Sequence, residues 1–66
     1  MIVEIDYTNH RGERRLRKIK PINCEISSNK YHPKLCWMWN AKDVEDNNIV
    51  KTFPVSNIHS WRELND

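Results

Sequence analysis

A single glycine, two cysteines and no long apolar run are the scarcities that shape this 66-residue chain. No stretch approaches the roughly 20 apolar residues needed to cross a bilayer, so no membrane span is expected. Cys24 and Cys36 are too few for the disulfide framework of a secreted miniprotein, and no charged-then-apolar leader precedes them. A reduced, cytoplasmic protein is the expectation. Gly/Ser linkers, repeats and low-complexity tracts are also missing, so residues 1–66 read as one domain. A chain this short buries only about 60% of the surface its unfolded form exposes. That leaves little room for an enclosed catalytic cleft, and association with another copy is a common remedy. A homo-oligomer is therefore expected.

Chemistry that needs organised side chains is equally scarce. Cys24, Cys36, His10, His32 and His59 lack the paired spacing that preorganises zinc, so no metal is expected. The acidic run Asp43, Glu45, Asp46 with Asn47 and Asn48 lacks the glycine and closing glutamate of an EF-hand loop and reads as a hydrated turn. No paired carboxylates and no Ser/His/Asp set stand out. The expectation is a protein that is not an enzyme and needs no cofactor.

What the chain does contain is strand pattern, aromatics and localised charge. Val3, Ile5 and Tyr7 alternate with Glu4 and Asp6, as in a half-buried strand. Asn9 to Gly12 supplies turn chemistry. A partner strand from about Glu13 to Ile22 would place Arg15, Arg17 and Ile19 on one face, with Pro21 marking its end or an edge. Residues 23 to 34 read as a loop, with a short extended piece around Glu25 and Ile26. Leu35 to Val44 is a central strand carrying Trp37, Trp39, Ala41 and Asp43 on one parity. After the turn at 45–48, Ile49 to Val55 returns with Ile49, Lys51, Phe53 and Val55 together. Ser56 to Trp61 could form one helical turn with Trp61 as a lid. The predicted fold is all-β, a small, strongly bent barrel of about five strands.

Six of the ten residues from Arg11 to Lys20 are basic, whereas the formal net charge is only +2. A cation beside inward-facing Ile19 or Phe53 needs a carboxylate, water or an anionic ligand, because an unpaired buried charge is costly. Two readings stay open. Arg17 pairs with Asp43 at the barrel rim while other charges are solvated, or Arg15, Arg17 and Lys51 form a cationic pocket with Trp37 and Trp39 as its floor and Asp43 as internal partner. The second suits a phosphate and a base together. The same residue types also suit single-stranded nucleic acid, although +2 is a weak field for it.

The order of motifs adds to this. Tyr7-Thr8-Asn9-His10-Arg11-Gly12-Glu13, Arg17-Lys18-Ile19-Lys20-Pro21, Tyr31-His32-Pro33, Trp37 to Asp43 and Lys51 to Ile58 together resemble the WYL domain in its short stand-alone form, over most of Ile2 to Trp61. The resemblance implies an Sm-like or SH3-like five-stranded barrel that senses anionic nucleotide-type ligands or nucleic acid. It also puts Arg17, Trp37 and Lys51 on the family's basic and aromatic positions. Met38 and Trp39 replace the Tyr and Leu of the family's name, and Lys51 stands where arginine is usual. With no effector domain beside it, such a module is expected to bind a small nucleotide-type ligand, sequestering a nucleotide signal as a viral or mobile-element counter-defence protein does. The alternatives are single-stranded nucleic-acid binding or a protein-protein adaptor.

Overall fold

The structure, a computed structural model, describes residues 1–64. It is all-β apart from one short 3-10 turn. The strands are β1 (Ile2–Thr8), β2 (Arg14–Ser27), β3 (Cys36–Asp43), β4 (Ile49–Pro54) and β5 (Ile58–Leu64), and Val55–Asn57 forms the 3-10 turn. They make one antiparallel sheet in the order β4-β3-β2-β1-β5.

The β1–β2 turn is built by Asn9 and Gly12. The Asn9 side-chain oxygen accepts the Arg11 and Glu13 amides at 2.9 and 3.0 Å. Gly12 sits at φ +82°, a left-handed conformation that a side chain would strain. Across the sheet, Asn47 and Asn48 adopt φ of 54° and 58° in the β3–β4 turn, using the tolerance of asparagine for that region.

β2 is the spine of the sheet and is longer than the sequence predicts. Its first half pairs with β1, from Thr8 opposite Arg14 to Val3 opposite Ile19. Its second half pairs with β3, from Ile19 opposite Asp43 to Ser27 opposite Cys36. Residues 23–27 are therefore strand and not loop. The ladder slips between Pro21 and Asn23, leaving Ile22 as the extra residue of a bulge. Proline has no amide to give the ladder, and a bulge bends a strand, so this is where β2 turns from one partner to the other.

Alternation then sorts the side chains. Val3, Ile5, Tyr7, Ile19, Ala41 and Phe53 form the core on the concave face, with Trp39 and Ile58 packed at its margin. Tyr7 meets Phe53 edge to face, with ring centroids 5.1 Å apart. Met38 points to the other side, opposite Pro54 in register, and both are buried where the 3-10 turn packs against β3.

Two sequence expectations are corrected here. The sheet is curled but not closed into a barrel: β4 and β5 are its two edges and no ladder joins them. Closure requires both edges to pair along their length, and these strands are linked only through the three-residue turn Val55–Asn57. The tail also forms no helical lid. Among the described residues only that 3-10 turn is helical, and Ile58–Leu64 pairs with β1 instead, since the free β1 edge offers a full ladder of hydrogen bonds. Trp61 lies directly opposite Ile5 but hangs off the edge, 64% exposed.

Candidate functional site

At one end of the concave face lies a cleft of about 590 Å³. Tyr7, Arg17, Lys51 and Phe53 contribute from the strands, and two loops raise its walls, one at Asn9 and His10, the other from Asn29 to His32. Both loops use the same local device. Asn9 folds the first turn on its side-chain oxygen, and the Asn29 side-chain oxygen accepts the amides of Tyr31 and His32 at 2.9 Å each. An asparagine that mimics a backbone turn in this way fixes the direction of the residues that follow.

Those residues meet. The His10 ring stacks on Tyr31 at 4.4 Å between centroids and 26° between planes, and the His32 ring lies 6.5 Å from His10. The Lys30 ammonium stands 4.9 Å from the Tyr31 ring centroid, a cation–π contact. One wall of the cleft is thus a planar, partly exposed aromatic surface flanked by a cation.

The floor is electrostatic. Asp43 is buried and accepts from Arg17 at 2.8 Å and from Lys51 at 3.0 Å, while Lys51 also reaches Asp46 at 2.8 Å. Burial by itself raises the Asp43 carboxyl; the hydrogen bonds from Arg17, Lys51 and the Glu45 amide outweigh it and hold the group below the usual carboxylate range. The hydrogen bond to Asp46, joined by that to Asp43, pushes Lys51 above the ordinary lysine value against the opposing effect of burial. Tyr7 is raised because burial disfavours the phenolate, with Arg17 opposing. Arg17 also lies 5.7 Å from the Phe53 ring centroid.

The residues expected from the sequence divide. Arg17 and Lys51 line the cleft, and Asp43 underlies both. Arg15 is exposed opposite Tyr7 and is not part of the lining. Trp37 and Trp39 are not part of it either: Trp39 packs at the margin of the core opposite Phe53, and Trp37, further along β3, faces solvent. Sequence reasoning missed His10, Lys30, Tyr31 and His32 as site residues. The signal available was the pair of asparagines opening two loops, with an aromatic or imidazole ring one or two positions later.

The lining includes three cations, Arg17, Lys30 and Lys51, and no carboxylate. Such a surface can accept an anionic group from the floor and a planar ring against the wall. Among the described residues, no three His, Cys, Asp or Glu side chains converge as a metal site requires, and no helix is long and apolar enough to cross a membrane. No protein-family model, curated protein or solved structure matches the chain. The cleft itself therefore carries the functional reading.

Proposed function

We propose that this chain is a non-enzymatic binding module for a nucleotide-type anionic ligand, and that it acts by sequestering that ligand. The observation that carries the reading is the composition of the cleft: three cations, no lining carboxylate, and the stacked His10–Tyr31 wall beside them. In this reading the phosphate sits over Arg17 and Lys51, and the base lies against Tyr31 with Lys30 at its edge. Asp43 is the positioning residue that holds the two floor cations in place before the ligand arrives, which lowers the ordering cost of binding. The motif order that resembles the WYL domain supports the same reading, as does the Sm-like or SH3-like five-stranded fold that this resemblance implies. In this reading the chain serves as a cytoplasmic counter-defence protein that retains a nucleotide signal.

The test is a thermal-shift screen against linear and cyclic nucleotides and short oligonucleotides at two salt concentrations. Ligand is then recovered by denaturing the complex. A ligand at 100 times its Kd stabilises by about 2.7 kcal/mol. For a domain of this size that corresponds to a shift of roughly 10–20 °C. A shift of this order with one small nucleotide, returned chemically unchanged, is the expected result. Turnover of the ligand would make the protein an enzyme. A shift with oligonucleotides alone that collapses at high salt would make it a strand binder, and no shift at all would favour a protein adaptor.

A further inference from the structure

An asparagine side chain has an accepting half and a donating half, and in both cleft loops the accepting half is already used. The Asn9 oxygen takes the Arg11 and Glu13 amides at 2.9 and 3.0 Å, and the Asn29 oxygen takes those of Tyr31 and His32 at 2.9 Å each. A carbonyl oxygen has two lone pairs, so both oxygens are filled. Exchanging oxygen and nitrogen would set one N–H against another, which fixes the orientation of each amide. Among the described residues neither NH2 group donates to a protein atom, whereas Asn40, in the sheet, directs its own to Asn23 and Glu25. Both loop asparagines line the cleft, and the His10–Tyr31 stack brings their loops together at one wall.

From this we infer that Asn9 and Asn29 read the base of the bound nucleotide, and that the base is an oxopurine, guanine or hypoxanthine. This specificity rests on the nucleotide reading of the cleft. An unconstrained asparagine recognises adenine with both halves, accepting from its amino group and donating to the ring nitrogen beside it. With the oxygen committed to a turn, Asn9 and Asn29 can only donate. The matching edge of an oxopurine presents two adjacent acceptors, the carbonyl and that ring nitrogen, to which donors alone are suited. On adenine the same donors meet an amino group, another donor, and the mismatch leaves polar groups unpaired. Lys30, beside Tyr31, is a third donor at this wall, and the lining has no carboxylate to accept from an amino group. Its hydroxyls and imidazoles give and accept alike, so they select neither edge.

Isothermal titration of the full chain with inosine, guanosine and adenosine monophosphates tests this, because inosine and adenosine differ only along the edge that carries the carbonyl or the amino group. The two oxopurine nucleotides are expected to bind about 10-fold tighter than adenosine monophosphate, within the roughly 5- to 150-fold that one good base contact gives. Asn9→Asp and Asn29→Asp then separate reading from turn building. Aspartate keeps an oxygen for the two turn amides and puts a second oxygen, an acceptor, where the NH2 was. The added charge weakens every monophosphate alike, so the readout is the ratio of inosine to adenosine affinity, which each variant is expected to lower by about 5-fold or more. Melting curves check that the turns persist. If a variant does not fold, a deaza analogue of guanosine monophosphate that lacks the accepting ring nitrogen replaces it, expected to bind the unsubstituted chain about 5-fold or more weaker than its parent. Equal affinity for the three monophosphates overturns the inference while the nucleotide reading stands. So does a ratio that both aspartate variants leave unchanged, a deaza analogue that binds like its parent, or binding by none of the three where another nucleotide binds. Binding of no nucleotide at all overturns both.

Discussion

Inside the concave face the Arg17 guanidinium donates to the Asp43 carboxylate at 2.8 Å, joining β2 to β3 across 26 positions of sequence. Both side chains are almost fully buried, and no buried polar side-chain atom among the described residues lacks a partner. Removing one member of such a pair leaves the other desolvated without compensation, which typically costs 3–5 kcal/mol. Asp43→Asn is therefore expected to destabilise the fold by about 3 kcal/mol, because Arg17 and Lys51 both lose their shared acceptor. Arg17→Met is expected to cost less, since Lys51 still neutralises Asp43. Chemical denaturation of the two variants measures the difference. Equal losses would show that Lys51 does not compensate.

The same carboxylate sets an acid limit. Asp43 lies below its ordinary value in the folded state, so its contribution is complete above the unfolded carboxyl value near 4 and is lost as pH falls through the lower folded one. Stability is expected to hold between about pH 8 and 5 and to decline progressively below about 4. In Asp43→Asn the fold starts lower and the decline is shallower. Urea titrations at stepped pH check both slopes. An unchanged acid slope in the variant would assign acid lability to other carboxylates.

How much of this was legible in the sequence follows from where each signal was local. β1 was plain because Val3, Ile5 and Tyr7 alternate with charge. The pairing of Arg17 with Asp43 was open to parity reasoning, although it proved buried and not at a rim. β2 ran past its expected end because Pro21 and the polar residues after it look like a terminator, whereas a bulge at Ile22 lets the ladder resume in shifted register. Parity put Trp37 and Trp39 on the Asp43 face of β3, but could not show that Trp39 is taken up by packing at the core margin opposite Phe53 while Trp37 faces solvent. β5 was hidden because Ser56 to Trp61 reads as a helical turn until the free edge of β1 is seen to compete. The cleft walls come from two loops some 20 residues apart that only the folded sheet brings together.

At the cleft wall, Tyr31→Ala and Lys30→Ala are expected to weaken nucleotide binding without lowering stability much, because both side chains are exposed and neither touches the core. Loss of a base-stacking ring typically costs about 1–3 kcal/mol, so roughly 5- to 150-fold in Kd is expected for Tyr31→Ala. Lys51→Ala should both weaken binding and cost stability, since Lys51 also neutralises Asp43. Isothermal titration beside melting curves separates the two effects. If Tyr31→Ala binds as the unsubstituted chain does, the base does not rest on that wall.

Asn9 links the turn to the cleft. Its side chain accepts two amides within the β1–β2 turn, and the next residue is His10, which stacks on Tyr31. Each of those hydrogen bonds is exposed and contributes about 0.5–1.5 kcal/mol at most. Asn9→Ala is therefore expected to lower stability by only about 1–2 kcal/mol while releasing His10 from its stack. Gly12→Ala gives the contrast within the same turn. Nothing lies within 4 Å of an added Cβ at Gly12, so its cost comes from φ +82° alone, of order 1 kcal/mol. If the turn serves the cleft through His10, Asn9→Ala weakens ligand binding more than Gly12→Ala at matched loss of stability. Proton spectra of the His10 ring, shifted upfield by the Tyr31 face in the unsubstituted chain, should move toward free-histidine positions in Asn9→Ala. An unchanged His10 signal would mean that the ring is held by Tyr31 without help from the turn.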